Sequence, residues 1–260
     1  MMPVFVEGVS GTGKSTTAAK LRDRLAGAGY AVECFLEGDA SSPIGMFWRA
    51  CLSKAEHSDL YTEYAEFADE IAKNTIFGDD YCLVLYRGFD KPPYPPELFE
   101  FLQARDLCFR PQNPFPYELF SRIFHERWHA FVNSDLTKMD YIIFDGAMQH
   151  QTNDMLRNYS AKDDEIALHL KSLLNVAQAY NPVIFYLHSR DVRQRLRDAR
   201  AKRGQKAADE ATYAFWENRK RVDMLVLDKL SVVVHKIEIV TGDFEEYGEI
   251  ADRIAACITV

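Results

Sequence analysis

The stretch Gly8-Val9-Ser10-Gly11-Thr12-Gly13-Lys14-Ser15 decides the fold of this 260-residue chain. In this pattern glycines let backbone N–H groups surround phosphate oxygens, a lysine reaches the β- and γ-phosphates, and a hydroxyl completes a Mg²⁺ site. The pattern is informative only between a strand and a helix. An apolar run at 3–7 precedes it and a helical pattern at about 15–26 follows, so we predict a nucleoside-triphosphate site.

Each part of the loop has an expected role. The loop backbone would hold the phosphates at a helix N-terminus, Lys14 would neutralise their charge, and Ser15 would help to hold Mg²⁺. Thr16 extends the polar start of the helix. The predicted donor-binding residues in this segment are Gly8, Ser10, Gly11, Thr12, Gly13, Lys14, Ser15 and Thr16.

Apolar runs with the length and the β-branched or aromatic content of buried parallel strands recur along the chain. They lie at 3–7, 31–36, 141–144, 182–187 and 231–240. Helical stretches separate them, and that order predicts an α/β fold with a doubly wound parallel sheet. We expect one domain over 1–260, with its core at 1–43 and 135–260.

The segment 44–134 differs in character, because it is rich in aromatic residues and contains the proline cluster at 91–96. Its patterns predict helices at about 44–54, 62–73, 96–105 and 117–132 and one extra strand at 81–86. We interpret it as a mainly helical insertion after the second strand, on the side where a substrate would bind.

Composition limits the function classes. A net charge of −8 and a sequence pI of about 5.4 argue against a protein that coats nucleic acid or an anionic membrane. The five cysteines show no metal spacing and are expected to be reduced. Neither a signal peptide nor a membrane span is indicated, so we expect a cytoplasmic protein. Monomer and homodimer both stay open.

A metal-side carboxylate is expected where the third strand ends. The run Tyr141-Ile142-Ile143-Phe144 leads directly into Asp145. An aspartate at a strand end often only caps a turn, but beside a triphosphate loop such a residue holds Mg²⁺ and its waters. The sequence therefore predicts Asp145 and Ser15 as the metal-side residues.

Two carboxylates follow the second strand, in Phe35-Leu36-Glu37-Gly38-Asp39. If the strands are parallel, they lie at the same sheet edge as the phosphate loop. Phosphoryl transfer to a hydroxyl needs a group that orients it and accepts its proton. Strand alternation makes Glu37 and Asp39 point the same way, and either is a candidate for the base.

The densest positive segment of the chain lies at 190–203. Such a run is usually a solvated helix face, but after the fourth strand it can also close over the transferring phosphoryl group. Arg193, Arg197 and Arg200 recur at helical spacing and are predicted to stabilise charge. We expect a lid at about 189–210.

The order of these motifs resembles the thymidylate kinase and deoxynucleoside kinase branch of phosphate-loop (P-loop) kinases. The loop, the acidic residues after strand two, the strand ending in Asp145, and Tyr186-Leu187 before the arginine-rich helix carry the likeness. It implies a five-stranded parallel core, ATP and Mg²⁺ as cofactors, and a nucleoside, nucleotide or similar acceptor. It also implies that Thr241 and Gly242 lie at the adenine-contacting loop.

The resemblance has departures that leave the acceptor open. Thymidylate kinases have Asp-Arg-Tyr and deoxynucleoside kinases Glu-Arg-Ser where this chain has Asp145-Gly146-Ala147. The acidic element after strand two is closer to the Asp-Gly-Asp of small-metabolite kinases. We therefore expect an ATP- and Mg²⁺-dependent phosphotransferase that acts on a small-molecule hydroxyl or phosphate. A P-loop ATPase and a nucleotide-sensing regulator stay as alternatives.

The acceptor side is predicted from the insertion. The run His125-Glu126-Arg127-Trp128-His129 matches a zinc-protease motif, but its apolar neighbours describe an ordinary amphipathic helix. We interpret Glu126 or Arg127 as facing the acceptor. Tyr86 and Arg87, at the end of the inserted strand, are the other predicted acceptor contacts.

Overall fold

The structure is a computed structural model that describes residues 1–88, 93–108 and 110–259. The chain forms two compact units. The first comprises Met1–Glu37, Trp128–Asn153 and the chain from Ala161 onward, and the second comprises Gly38–Arg127 and Asp154–Ser160. The proline cluster at 91–96 lies partly outside the described residues.

The elements alternate between strands and helices over most of the chain. The strands are β1 Met2–Gly8, β2 Val32–Phe35, β3 Arg49–Ser53, β4 Thr75–Phe77, β5 Tyr81–Leu85, β6 Tyr141–Asp145, β7 Val183–His188 and β8 Val233–Glu238. The α-helices are α1 Lys14–Gly27, α2 Lys54–Glu63, α3 Ala68–Lys73, α4 Pro96–Gln103, α5 Tyr117–Val132, α6 Ala147–Asn158, α7 Asp163–Val176, α8 Val192–Lys202, α9 Glu210–Leu227 and α10 Phe244–Ile258. Short 3₁₀ turns lie at Ala65–Phe67, Asp135–Lys138 and Gln178–Tyr180.

The first unit is built on a five-stranded sheet in the order β2-β6-β1-β7-β8. All four pairings are parallel, and Val4 of the central strand β1 lies level with Ile143 of β6 and with Val183 of β7. The predicted α/β class with a doubly wound five-stranded parallel sheet is confirmed. This order places the phosphate loop after β1 beside the carboxyl ends of β6 and β7, where ligands of such sheets bind.

The sheet is covered on both faces, which explains its continuous apolar strands. Val4 and Val6 pack into a cluster with Leu21 of α1 and Ile254 of α10. Phe5, between them in sequence, points to the opposite face because side chains alternate along a strand. There its ring stacks on Phe144 and Trp128 at centroid distances of 5.3 and 5.6 Å, and this aromatic layer buries large apolar area.

The second unit contains a three-stranded antiparallel sheet in the order β3-β5-β4. Its core is formed by Leu52 of β3, Val84 of β5, Leu60 of α2 and Leu98 of α4. The insertion was expected to be mainly helical, and the structure adds this sheet to the predicted helices. Helix α5, Tyr117–Val132, has the predicted bounds.

The predicted helix at 44–54 is wrong. Residues Arg49–Ser53 form β3 and pair with Tyr81–Leu85, the strand that the sequence does indicate. Helix α2 begins only at Lys54, because the Ser53 side chain accepts from Glu56 N and the Glu56 carboxylate accepts from Ser53 N in a capping box. The predicted helix at 62–73 is likewise divided between the end of α2, a 3₁₀ turn and α3.

Over the described ranges, no helix combines the length and the apolar character that crossing a membrane requires.

Candidate functional site

The phosphate loop runs from the end of β1 to the first turn of α1. Gly11 and Gly13 have φ angles of 88° and 79°, in the left-handed region that glycine adopts without strain. The Thr12 hydroxyl donates to Val9 O at 2.9 Å, and the Lys14 ammonium lies 3.5 Å from the same oxygen. Helix α1 has no side-chain N-cap bond and no acidic residue in its first turn. Its first N–H groups are therefore free to bind an anion.

Glycine is required at position 13 for a second reason. A Cβ atom built on Gly13 would lie 2.1 Å from the Tyr247 ring of α10. Tyr247 is 9% exposed and belongs to the core cluster of the first unit, so it has little room to move. The loop backbone and the Tyr247 ring therefore pack so closely that no side chain fits at position 13 unless the ring shifts.

We predict that Gly13→Ala lowers the free energy of unfolding by about 1–3 kcal/mol, because it adds both left-handed strain and overlap with Tyr247. Urea unfolding measures the change. Gly27→Ala is the matched control on the same helix, since no atom lies within 4 Å of its added Cβ. That change should be neutral or stabilising by up to about 1 kcal/mol. Equal stability of the two variants would contradict the packing argument.

A cleft of about 440 Å³ lies over the loop, entirely within the first unit. One wall is the predicted donor segment, and Thr241 and Gly242 contribute to another. Nine predicted residues therefore line one cavity. They are Ser10, Gly11, Gly13, Lys14, Ser15, Thr16, Glu37, Thr241 and Gly242. Of the remaining donor-binding residues, Gly8 ends β1 and Thr12 is fully buried beneath the loop.

Helix α8 lines the cleft with a different face from the predicted one. The lining residues of this segment are Arg195, Asp198, Ala199, Ala201, Lys202 and Arg203. Arg193 instead pairs with Glu210 at 2.8 Å and with Glu217 at 2.9 Å. Arg197 donates to Gln194 and Arg200 to Lys206 O.

The cations of this segment that line the cleft are therefore Arg195, Lys202 and Arg203. Arg193, Arg197 and Arg200 are not in the lining, and their role in stabilising charge stays a prediction. Arg193, Arg197 and Arg200 all lie on α8 at helical spacing. Periodicity shows only which residues share a face of a helix, not which face meets the cleft.

Arg195 also fixes the loop after β8. Its guanidinium donates to Thr241 O at 2.7 Å and to Val240 O. The Glu246 carboxylate holds the same loop from α10, accepting from Val240 N at 2.6 Å and from the Thr241 hydroxyl at 3.0 Å. The wall that contains Thr241 and Gly242 is thus held in one conformation from two sides, and sequence reasoning missed both anchors.

Glu37 stands beside Lys14. Its carboxylate lies 4.0 Å from Lys14 Nζ and 3.3 Å from Nε2 of His150, a residue of α6 that is 13% exposed. Burial raises the pKa of Glu37, but the hydrogen bond from His150 and the charges of Lys14, His150 and Arg203 outweigh it, so the pKa falls to about 2. Glu37 is therefore ionised at neutral pH.

Asp145 joins the same group at the end of β6. It is 3% exposed, and its Oδ2 accepts from Glu37 N at 3.1 Å. Its Oδ1 is buried and has no hydrogen-bond partner in the described chain. Burial raises the pKa of Asp145, while the Lys14 charge, the Ser15 hydroxyl and Glu37 N–H oppose that rise. An unpaired buried carboxylate oxygen beside Ser15 fits a hard divalent cation.

The geometry after β2 differs from the alternation that the sequence suggests. The strand ends at Phe35, and Gly38, with a φ of 86°, puts a left-handed turn between the two carboxylates. Asp39 belongs to the second unit, where its Oδ1 accepts from Ser41 N at 2.8 Å and from the Ser41 hydroxyl at 2.6 Å. Its role as a base stays a prediction.

A buried polar network that the sequence did not reveal supports the loop strand. Glu7, immediately before Gly8, accepts from Met148 N at 2.9 Å and from Gln149 N at 3.0 Å. Burial raises its pKa to about 8, against the Met148 hydrogen bond and the charges of Arg219 and Lys14. Because Glu7 binds the start of α6, it links β1 to the helix that carries His150.

Arg219 extends this network to α9. It is 2% exposed and donates to Asp223 at 2.8 Å, to Gln149 O at 2.8 Å and to Asn153 at 2.6 Å. Asp223 in turn accepts from the Tyr186 hydroxyl at 2.7 Å. Helix α9 is thereby hydrogen-bonded to α6 and β7. The sequence gives no indication of this network, because the burial of Arg219 is seen only in the structure.

The predicted acceptor residues lie in the second unit and have partners there. Tyr86 is 4% exposed and donates to Asp106 at 2.5 Å, so it belongs to the core of this unit. Arg87 lies over the Trp48 ring at 5.4 Å. Glu126 accepts from the Tyr81 hydroxyl, and Arg127 donates to Pro43 O at 3.2 Å. Their contact with an acceptor stays a prediction.

The histidine motif at 125–129 lies on α5, as interpreted from the sequence. Its Glu126 is bonded to Tyr81, and His129 is exposed. Within 1–88, 93–108 and 110–259, no group of three or more His, Cys, Asp or Glu side chains is placed to hold a metal ion.

Comparison with known proteins finds distant likenesses among solved structures. No protein-family model matches the chain, and no curated protein matches it. Among solved structures, it is similar to a deoxyadenosine kinase from M. mycoides with bound dCTP, at 12% identity. The match covers 99% of this chain and 100% of that one, with a TM-score of 0.42. A likeness this distant carries no argument about substrate or mechanism, so the case for function rests on the cleft itself.

Proposed function

We propose that this chain is an ATP- and Mg²⁺-dependent phosphotransferase that moves the γ-phosphoryl group to a small-molecule acceptor. One observation carries the proposal: a single cleft brings the glycine loop and Lys14 together with the ionised Glu37. A triphosphate needs the first two, and an acceptor hydroxyl needs the third. Thr241, Gly242 and Arg195 form the wall suited to the nucleobase end of the donor.

The residues for Mg²⁺ would be Ser15 and Asp145. The buried, unpaired Oδ1 of Asp145 and the hydroxyl that opens α1 are oxygen ligands of the kind this ion prefers. When bound, Mg²⁺ neutralises charge on the donor phosphates. Glu37 N–H, bonded to the other Asp145 oxygen, fixes the orientation of that carboxylate.

The chain's own groups divide the remaining work. Lys14 and Arg203 supply positive charge to the phosphoryl group in a partly enclosed cleft, where electrostatic stabilisation is strong. Glu37 accepts a hydrogen bond from the acceptor hydroxyl. It takes the hydroxyl proton as the new P–O bond forms, while the bond between the γ-phosphorus and the β–γ bridging oxygen breaks and ADP leaves. With a pKa of about 2 it is a weak base, so its larger contribution is to orient the hydroxyl.

The proposal is tested with a panel of nucleosides, nucleoside monophosphates, sugars and aminoglycoside-like alcohols, assayed for acceptor-dependent ADP release with ATP and Mg²⁺. We expect at least one class to raise ADP release well above hydrolysis by water. ATP turnover that no acceptor stimulates would contradict the phosphotransferase proposal and favour an ATPase. ATP binding without turnover would favour a nucleotide-sensing regulator.

A further inference from the structure

Arg49 is a buried cation of the second unit. It lies on β3, is 6% exposed, and donates through Nη2 to Ala40 O at 2.7 Å. Its Nε is buried and has no hydrogen-bond partner in the described chain. No carboxylate of the described ranges lies within ion-pair distance of it, whereas Arg105 and Arg122 of the same unit both have one. An unpaired buried charge is costly, so an ion that pairs with it is expected.

A second guanidinium converges on the same loop. Arg127 of α5 donates through Nε to Pro43 O at 3.2 Å, so both arginines bind carbonyls of the segment 40–43. The nearest acidic group on its own helix, Glu126, is already bonded to the Tyr81 hydroxyl and lies 3.6 Å from Arg122. Among the residues that the structure describes, neither arginine therefore has an ion pair of its own.

The charges of the two arginines act on each other. Burial and, to a smaller extent, the positive charge of Arg127 together lower the pKa of Arg49 to about 10. Burial also lowers the pKa of Arg127, which the nearby Tyr81 and Glu126 partly offset. Both side chains remain charged at neutral pH, so two like charges are held close together with too little negative charge around them.

The backbone beside Arg49 is strained. Trp48, the preceding residue, has a φ of 52°, in the left-handed region where a bulky side chain is an outlier. Arg87 lies over its ring and adds a third cation to the neighbourhood. Strain of this kind persists where surrounding structure holds a binding element in place.

We propose that Arg49 and Arg127, which both bind the loop at 40–43, form an anion site in the second unit that takes the phosphate group of a small molecule. Two planar guanidinium forks match the several oxygens of a phosphate better than the two of a carboxylate. The site does not depend on the proposed phosphotransferase activity.

The probe is inorganic phosphate, and the measurement is NMR of the arginine Nε–Hε groups in the full chain. The Arg49 signal is assigned by its absence in Arg49→Gln. We expect it to shift saturably with phosphate and to stay in place with potassium chloride at matched ionic strength. The shift should be lost in Arg127→Gln and kept in Arg122→Gln, because Arg122 lies on the same helix but pairs with Asp80.

Phosphate also suits the glycine loop, so the titration is repeated in Lys14→Ala. A shift that persists there supports the arginine site, and a shift that disappears assigns the binding to the loop and overturns the proposal. No shift beyond that of chloride also overturns it. If Arg49→Gln does not fold, the titration of the unaltered chain against Arg127→Gln gives the same decision.

Further ligands identify the source of the phosphate. A nucleoside monophosphate that binds more tightly than inorganic phosphate assigns the site to an organic phosphate ester, and equal binding assigns it to free phosphate. Acetate that binds as well as phosphate would overturn the phosphate assignment. None of these outcomes requires turnover. The NMR titration tests the arginine site and the ADP-release assay tests the proposed activity, so the failure of one is distinguished from the failure of the other.

Discussion

Lys14→Ala should remove most of the thermal stabilisation that ATP with Mg²⁺ gives to the unaltered chain. A ligand that binds only the native state stabilises it by mass action, about 2.7 kcal/mol at a hundred times Kd. Lys14 is 4% exposed and lies in the cleft lining beside the loop glycines. In the proposed function, its loss takes away the ammonium that would reach the β- and γ-phosphates. Thermal unfolding with and without nucleotide measures the effect.

The control for this variant is Lys20→Ala on the same helix. Lys20 lies 3.3 Å over the Phe244 ring and is not part of the cleft lining, so its removal should leave the nucleotide-induced shift intact. The unliganded Lys14→Ala variant is its own reference for the shift, because removing Lys14 also leaves Glu37 and Asp145 without its positive charge and lowers the starting stability. A full ATP shift in Lys14→Ala would rule out the loop as the donor site.

Glu37→Gln should lower the turnover rate on the order of a hundredfold or more once an acceptor is known. Glutamine keeps the size of the side chain but can neither take a proton nor carry the negative charge that faces Lys14 and His150. ATP binding should change little, since the loop backbone, Lys14 and Ser15 hold the donor. The measurements are kcat with the acceptor and the ATP-induced thermal shift, which separate the two effects.

Asp39→Asn is the matched comparison, since it is the other carboxylate that the sequence nominates. We expect the smaller loss there, because the Asp39 carboxylate is occupied by Ser41. A larger loss at Asp39 would move the base to that residue. If both carboxylates can be neutralised without loss, the acceptor is already ionised, as a phosphate is. Positive charge and positioning then carry the chemistry.

The local sequence determined the loop after β1 and the position of Asp145. The glycine spacing and the β-branched run before it specify a strand, a loop and a helix over contiguous residues, and the structure has β1, the loop and α1 in that order. Asp145 was found in the same way, because a strand that ends at the carboxyl edge of a parallel sheet places its last side chain there. Helix α5 follows from its own apolar period.

Features that depend on distant residues escaped the sequence. The stretch Arg49–Ser53 became a strand because Tyr81–Leu85 pairs with it, and that pairing outweighs a weak helical propensity. The sequence did not show which face of α8 meets the cleft, because helical periodicity tells only which residues share a face and not which way that face points. The contacts of Glu37 with His150 and of Arg195 with Thr241 could not be predicted either, because each joins elements that are far apart in the chain.

The sequence alone therefore determined the fold class and the phosphate loop, since both arise from periodicity and short-range spacing that one segment carries by itself. Tertiary structure alone decided which charges lie together: the ionised Glu37 at Lys14, the buried Glu7 at the start of α6, and the buried Arg49 on the same loop as Arg127. Charge placement depends on the packing of several elements, and burial and neighbouring charges, not residue type, set the state of each group.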